Sequence, residues 1–386
     1  MLKNTSASGH VSRALSLGHP AHFEKIAPKL FHALNIIQAY SALGRRLYDW
    51  ARDTDQVFME EAMEKRMGVG GAMVVCNSGN TLSAEVGIVA HELMHAMQHR
   101  VYNLMVQHPA TNARGFIIHG RGLEAAAVTC QIRVLYEMKL NGFTRPWNDF
   151  MAGCYAFKTP EGKEVNGLEG YRPVGQSFAA AYKQAQRAGK STNQAMDEAC
   201  DAAHEAYFKN AGLATTYNNV YIKDYLHLLF QQGGNTTPPQ PLASETRLHE
   251  MTRIGENEYL VRSGFSYMPK CDAEIFFGNE KMRQAFDYIE TVRMMNVYGK
   301  DGQGFKEHMH KLVQEKNPYI GINLKKALAV MQDEKDPRTS LQILDDMAKE
   351  LQQQKKPQQV FASVANDNRG QGKIQKRLHW PQNRSR

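Results

Sequence analysis

The sequence predicts an α+β fold that is predominantly α-helical. Apolar residues recur at helical spacing from residue 21 to residue 53, which is typical of one or two packed helices. Two further segments, residues 81–106 and 123–140, are largely apolar, as helices buried inside a protein are. By contrast, the short apolar run at residues 72–76 lies between glycines and a turn and suits a strand.

The remaining elements follow from the same periodicity and from the positions of turn residues. Asn80 or Thr81 can cap the helix of residues 81–106. Residues 109–122, with their proline and glycines, are predicted to be a loop or a broken segment. Further helices are expected near residues 174–187, 193–209 and 218–231, and a strand pair near residues 258–262 and 265–268.

The clearest linker in the chain, residues 233–243, is rich in glycine and proline. The segment beyond it carries a separate set of helical patterns, and the chain ends in a stretch rich in Gln, Lys and Asn that is typical of disorder. We therefore predict a flexible N-terminus at residues 1–20, a main domain at 21–232, the linker, a second mostly helical module at 244–352 and a basic disordered tail at 353–386.

The net charge of +8 is concentrated at one end of the chain. Residues 355–386 hold eight basic residues and one acid, whereas residues 1–354 hold 39 basic and 38 acidic residues. The body is therefore nearly neutral, and the excess of basic residues belongs to the tail and does not indicate a basic nucleic-acid-binding face on the body. The tail at 355–386 could bind an anionic partner such as nucleic acid, a membrane surface or an acidic protein, although a solvated flexible tail is the favoured interpretation.

Composition also excludes two other classes of protein. The longest apolar runs are far shorter than the ~18 residues that a membrane-spanning helix needs. The five cysteines are odd in number and form no CxxC pair, which excludes a disulfide framework and a cysteine zinc site. Reduced thiols and a cytoplasmic location fit this pattern.

Residues 91–95 read His-Glu-Leu-Met-His, an HExxH motif within an apolar helix. Positions four apart on a helix are only about 40° apart around the axis and ~6 Å along it, so His91 and His95 can bind one ion. Burying these polar side chains is costly unless they have partners, and a metal would be such a partner. Glu92 is rotated by about 100° and can lie beside a metal-bound water. The motif predicts one zinc ion per chain and a peptidase with Glu92 as general base.

A catalytic zinc site needs a third protein ligand. Glu124, 29 residues after the motif, is the best candidate because it is a lone charge at the start of an otherwise apolar helix. His119 and, more weakly, His108 stay open as alternatives. His99 lies about 12 Å from His91 along the helix axis, too far to share one ion.

The segments His91-Glu-Leu-Met-His95 and Glu124-Ala-Ala-Ala127 resemble the gluzincin group of zinc metallopeptidases. More narrowly, they look like an uncharacterised family of bacterial metallopeptidases, over residues 21–231. The resemblance implies a zincin-like catalytic domain with a short edge strand, an HExxH active-site helix and a Glu-bearing ligand helix. It also implies peptide hydrolysis of a protein or peptide substrate, with His91, His95 and Glu124 as zinc ligands and Glu92 as catalytic base.

One position departs from the gluzincin pattern. Many members place an Asp four residues after the ligand Glu to orient a metal-bound His, and this chain has Val128 there. Thr129, Gln131 or a backbone carbonyl would then have to orient the ligands. The departure motivates an alternative function, that of a catalytically weak or inactive binding protein on a zincin fold. Candidates for stabilising the oxyanion are Tyr155, Tyr171, His204 and His227, among which the sequence does not choose.

Overall fold

The computed structural model describes most of the chain and gives it a mostly helical fold with a small mixed sheet. The predicted α+β class is therefore confirmed. None of the helices described is long and apolar enough to cross a membrane. The described residues are 15–63, 68–101, 112–153, 155–167, 169–231, 253–254, 257–258, 280–333 and 335–366.

A four-stranded sheet accounts for the β-structure next to the HExxH helix. Its strands are Leu15–Ser16 (β1), Val57–Glu61 (β2), Gly68–Val69 (β3) and Met73–Asn77 (β4). The order is β1–β2–β4–β3; β2 and β4 run parallel, and the other two pairs are antiparallel. The strand predicted at residues 72–76 is confirmed as β4, and β3 is the short edge strand beside it.

The folded body begins before the predicted boundary at residue 20. Leu15 and Leu17 are 2% and 4% exposed, and their burial holds β1 against β2. The prediction of a flexible terminus is therefore wrong for residues 15–20, and residues 1–14 lie outside the described part of the chain.

Three helices cover the segment in which one or two were predicted. They are Pro20–Ile26 (α1), Pro28–Tyr40 (α2) and Ala42–Asp53 (α3). Ala27 leaves the helical conformation (φ −133°, ψ 68°) because the residue before a proline is restricted to extended backbone. Ser41 then caps α3 by accepting a hydrogen bond from the backbone of Gly44.

Two long helices form the centre of the fold. Leu82–Arg100 (α4) is capped by the Thr81 hydroxyl, which accepts from the Ala84 N–H, and is buried on nearly all sides as predicted. Ala113–Leu140 (α5) packs against it. Ala125, Ala126 and Ala127 have no exposed surface, so these small residues let the two helices approach closely.

The predicted loop at residues 109–122 is wrong for its described part, because α5 begins at Ala113. Asn112 caps the helix by accepting a hydrogen bond from the Gly115 N–H at 2.7 Å. Phe116 and Ile117 are buried, and this tertiary packing outweighs the low helix propensity of the nearby glycines.

Helices and a hairpin complete the part of the chain before the predicted linker. Helices Arg172–Arg187 (α7) and Thr192–Lys209 (α8) pack against each other, and α5 contacts both α8 and Ala211–Gln231 (α9). The predicted helices at 174–187, 193–209 and 218–231 are confirmed, although the last begins seven residues earlier. The elements are Arg145–Ala152 (α6), Tyr155–Lys158 (β5), Glu164–Gly167 (β6), Arg172–Arg187 (α7), Thr192–Lys209 (α8) and Ala211–Gln231 (α9).

A second hydrophobic cluster contains side chains from both sides of the predicted linker. Side chains of the C-terminal helices pack there with Phe116 and Ile117 of α5 and with Ile222 and Leu226 of α9. The predicted module of residues 244–352 thus shares its core with the two helices that also contribute to the site below. Its described elements are Arg253–Ile254 (β7), Asn257–Glu258 (β8), Glu280–Tyr298 (α10), Gln303–Gln314 (α11), Leu324–Met331 (α12) and Ser340–Asn366 (α13).

Two predictions for the C-terminal region lie largely outside the described residues. Apart from Glu258, which pairs in the β7–β8 hairpin, the predicted strand pair falls on residues 259–268. The predicted disordered tail begins at residue 353, but α13 continues to Asn366. The remaining residues, 367–386, are not described.

Candidate metal centre

His91 and His95 lie one helical turn apart on α4 and direct their rings to the same point. Their Nε2 atoms are 3.1 Å apart, and their ring planes meet at 79°. His95 is 5% exposed, whereas His91 is the one residue between Ser83 and Gln98 that is not fully buried. The pair therefore opens from the protein interior toward the surface at His91.

Glu124 reaches both imidazoles from α5. Its Oε1 atom lies 3.3 Å from His95 Nε2, and its Oε2 atom lies 3.5 Å from His91 Nε2. Ligands at ~2.0–2.1 Å from a tetrahedral zinc are about 3.3 Å apart. The three measured separations of 3.1, 3.3 and 3.5 Å fit that geometry. Two imidazole nitrogens and one carboxylate oxygen are also ligands that zinc prefers, so the residues present fit the ion.

Glu92 belongs to a looser group at the same place. His91, Glu92 and His95 each have one possible ligand atom, an imidazole nitrogen or a carboxylate oxygen, within 4.8 Å of those of the other two. The Glu124 oxygens lie 3.3 Å and 3.5 Å from the two histidines, well inside that limit. Glu92 remains near enough to act on a group held between them.

The edge strand passes directly over Glu92, which is only 6% exposed. A Cβ atom at Gly68 would lie 2.9 Å from Glu92 Oε1, and one at Gly70 would lie 2.9 Å from Glu92 Oε2. The same atom at Gly70 would be 2.4 Å from His95 Cβ, far inside the ~3.5–4.0 Å at which carbon atoms normally touch. The two glycines thus allow β3 and the residue after it to cover the motif.

Gln98 fixes the ring of His95. Its Oε1 atom lies 2.8 Å from His95 Nδ1, and its Nε2 donates to the carbonyl of Leu123 at 3.2 Å. Because the amide oxygen only accepts, His95 Nδ1 carries the hydrogen and Nε2 is the atom that faces the site. Gln98 also ties α4 to the residue before Glu124. This role could not be predicted from the sequence, since Gln98 lies three residues beyond the motif.

In the metal-free protein, His95 and Glu124 form a charged pair. Burial alone would lower the pKa of His95, but the charge and hydrogen bond of Glu124 outweigh burial and raise this pKa to about 9. Burial alone would raise the pKa of Glu124, and the charge of His95 with the hydrogen bonds of both histidines lowers it well below its usual range. In this pair the proton on His95 balances the negative charge of Glu124.

A tyrosine pair lies beside Glu124, and one of the two contacts its carboxylate. Tyr217 of α9 donates to Glu124 Oε2 at 3.1 Å, and its hydroxyl contacts the hydroxyl of Tyr171, which immediately precedes α7. Tyr171 was one of four candidates for stabilising the oxyanion. Of these four residues, it is the one that the described contacts connect to the site, through Tyr217. Tyr217 was missed, because nothing in the sequence links residues 93 positions apart.

The other candidates from the sequence lie elsewhere or are not described. His204 is fully buried beside Phe208, and burial lowers its pKa to about 3. His227 contacts Gln332, and only the backbone of Tyr155 is described. Thr129, a candidate for orienting a ligand, donates instead to the carbonyl of Ala125.

The alternative third ligands do not displace Glu124. His119 lies on α5 and is buried, but an offset of five residues places it about 140° around the helix from Glu124. His108 lies outside the described residues. The structure therefore brings together the three side chains that the sequence favoured.

Comparison with known proteins adds one finding. No curated protein and no solved structure matches the chain. The profile of a family described as Putative metallopeptidase family (DUF6782) matches residues 27–258, which is more than half of the 386 residues and includes the HExxH motif and Glu124. The chain therefore belongs to the Putative metallopeptidase family (DUF6782).

Proposed function

We propose that this protein is a zinc-dependent peptidase. In this proposal His91, His95 and Glu124 bind one zinc ion, and Glu92 is the general base. The observation that supports it best is the set of three ligand-atom separations between 3.1 and 3.5 Å, contributed by two different helices. Family membership supports hydrolysis in general, and the donor set favours zinc among the divalent metals.

The chain's own residues account for the proton transfers of the reaction. Zinc, when bound, supplies a Lewis acid for the scissile carbonyl and makes a water molecule acidic enough to lose a proton near neutral pH. Glu92 accepts the proton of the attacking water as its oxygen forms a bond to the carbonyl carbon. Glu92 then donates that proton to the nitrogen of the leaving amine as the C–N bond breaks.

The surroundings of Glu92 suit this role. Its carboxylate is held between α4 and the glycine segment at residues 68–70, which restricts its motion and excludes bulk water. His95 is fixed by Gln98, so the general base and the ligand keep a constant spacing. Positioning of this kind is a large part of how enzymes lower reaction barriers.

The proposal is tested by metal analysis and one substitution. We expect about one zinc per chain in protein produced with zinc. Glu92→Gln should retain the metal but lose cleavage of a proteome-derived peptide library, by about 10²-fold or more. Glu205→Gln, on the surface of α8, is the matched control and should cleave as the wild type does. A zinc content near zero in the wild-type chain would contradict the proposal.

The alternative is a binding protein that keeps the metal but does not turn over substrate. Val128, fully buried at the position where many gluzincins have an Asp, is the observation that favours it. The same experiment separates the two functions. The binding protein would be favoured if the wild type held zinc at full occupancy but, like Glu92→Gln, cleaved no peptide of the library.

The cytoplasmic location and an anionic partner for residues 355–386 remain predictions from the sequence. The described cysteines Cys76, Cys130 and Cys200 are buried free thiols, which supports a reducing compartment.

A further inference from the structure

Two kinds of group contact the carboxylate of Glu124. Its two oxygens lie 3.3 and 3.5 Å from the imidazoles of His95 and His91, and Tyr217 donates a hydrogen bond to Oε2 at 3.1 Å. Glu124 retains 23% of its side-chain exposure, so packing alone leaves the carboxylate some freedom to rotate. The hydrogen bond from the Tyr217 hydroxyl to Oε2 limits this rotation.

The direction of the hydrogen bonds follows from what each group can donate. An ionised carboxylate only accepts, so the single proton of the Tyr217 hydroxyl is used on Glu124. The Tyr171 hydroxyl, which contacts the Tyr217 oxygen, must then be the donor to Tyr217. The result is a chain of donation from Tyr171 to Tyr217 to Glu124.

Packed rings hold these hydroxyls in place. Tyr207 of α8 lies 6.4 Å from the Tyr171 ring and 6.0 Å from the Tyr217 ring, and Tyr221 stacks on Tyr217 at 6.1 Å. Gly120 makes room on α5, since a Cβ atom there would lie 2.6 Å from the ring of Tyr221. Helices α8 and α9 and the segment before α7 therefore fix the position of Tyr217 relative to α5.

We propose that Tyr217, supported by Tyr171, is a positioning residue that orients Glu124 for metal binding. The inference rests on the proposed function and adds to it the group that holds the carboxylate ligand in place. Groups that hydrogen-bond to metal ligands typically change metal affinity by about 10–100-fold. A phenol held by other rings can orient a carboxylate without adding negative charge.

The test measures zinc affinity rather than activity. Zinc dissociation constants of the full chain are obtained by competition with a chelator for the wild type, Tyr217→Phe, Tyr171→Phe and Tyr207→Phe. We expect Tyr217→Phe to weaken zinc binding by about 10–100-fold. Tyr171→Phe should weaken it less, because Tyr217 still donates to Glu124. Tyr207→Phe is the matched control: among the described residues its buried hydroxyl has no hydrogen-bond partner, so its affinity should equal that of the wild type.

Melting temperatures of the metal-free proteins separate positioning from general stability. Positioning predicts that the zinc affinity of Tyr217→Phe and Tyr171→Phe falls while the metal-free melting temperature stays near that of Tyr207→Phe. Equal affinities of the wild type and both variants would overturn the positioning role alone. A loss of affinity matched by an equal loss in Tyr207→Phe would also overturn it. Absence of zinc binding by the wild type would overturn the proposed function as well.

Discussion

The buried carboxylate of Glu85 should make the stability of this protein depend on pH. Glu85 lies on α4, six residues before His91, and has no exposed surface. Its Oε2 accepts a hydrogen bond from Asn80 at 2.7 Å, and Lys29 donates to the carbonyl of Asn80 at 2.9 Å. Burial raises the pKa of Glu85 from 4.5 to about 7, against the opposing effects of Lys29 and Asn80.

The magnitude follows from the pKa difference between the folded and unfolded chains. A rise from 4.5 to about 7 corresponds to about 3 kcal/mol, at about 1.4 kcal/mol for each pH unit. The folded chain binds this proton more tightly than the unfolded chain does. The stabilisation is therefore fully present below pH 4.5 and is lost as the pH rises through about 7. Glu85→Gln keeps the volume and the acceptor for Asn80 but never ionises, so it should not show this loss.

The assay is urea unfolding of the full chain, kept metal-free with a chelator, at pH 5 and pH 8. The stability gained by Glu85→Gln over the wild type should be about 2–3 kcal/mol larger at pH 8 than at pH 5. Glu205→Gln, whose ion pair with Lys209 is at the surface, should change stability by less than about 1 kcal/mol at either pH. If the difference between Glu85→Gln and the wild type were the same at both pH values, the reasoning would be refuted.

Two further substitutions test the geometry around the motif. Gly70→Ala should destabilise the metal-free chain by about 1–3 kcal/mol and weaken zinc binding, because its Cβ would lie 2.4 Å from His95 Cβ. Unfolding and chelator competition measure this. The control is Gly212→Ala, at the start of α9, whose Cβ atom would lie 3.3 Å from Asn210 Oδ1; it should change stability by less than about 1 kcal/mol and leave zinc binding unchanged. Gln98→Leu should weaken zinc binding by about 10–100-fold through loss of the hydrogen bond to His95 Nδ1. Gln284→Leu, a buried amide on α10, should leave the affinity unchanged, and equal affinities for the two leucine variants would contradict the role of Gln98.

The centre of the fold could be predicted because its sequence signals are local. Helix α4 is apolar on nearly all sides and has a capping Thr81, so its composition and its cap both predict a buried helix that begins at this position. Within it, the spacing of His91 and His95 requires only the helical repeat to bring both rings to one face. Glu124 could be predicted as a third ligand because a catalytic zinc site needs three protein ligands and the two histidines supply only two.

What could not be predicted depends on contacts between distant segments. The first turns of α5 contain glycines, which predict a loop. This segment is helical because Phe116 and Ile117 pack into the second hydrophobic cluster. Strands β1 and β3 are two residues long and carry no periodicity. Tyr217 meets Glu124 only after α9 has packed against α5.

The same contrast explains how the site can lack an Asp at position 128. Orientation of His95 requires an acceptor at Nδ1, and orientation of Glu124 requires a donor at one oxygen; neither requirement demands a charge. Here an amide, Gln98, supplies the first and a phenol, Tyr217, supplies the second. A carboxylate at position 128 would have added a negative charge beside the ligands. With neutral partners, a bound divalent cation is expected to keep more of its positive charge for polarising a scissile carbonyl, because less of it is offset by nearby anions. The departure at Val128 is therefore compatible with catalysis as long as Gln98 and Tyr217 hold their ligands.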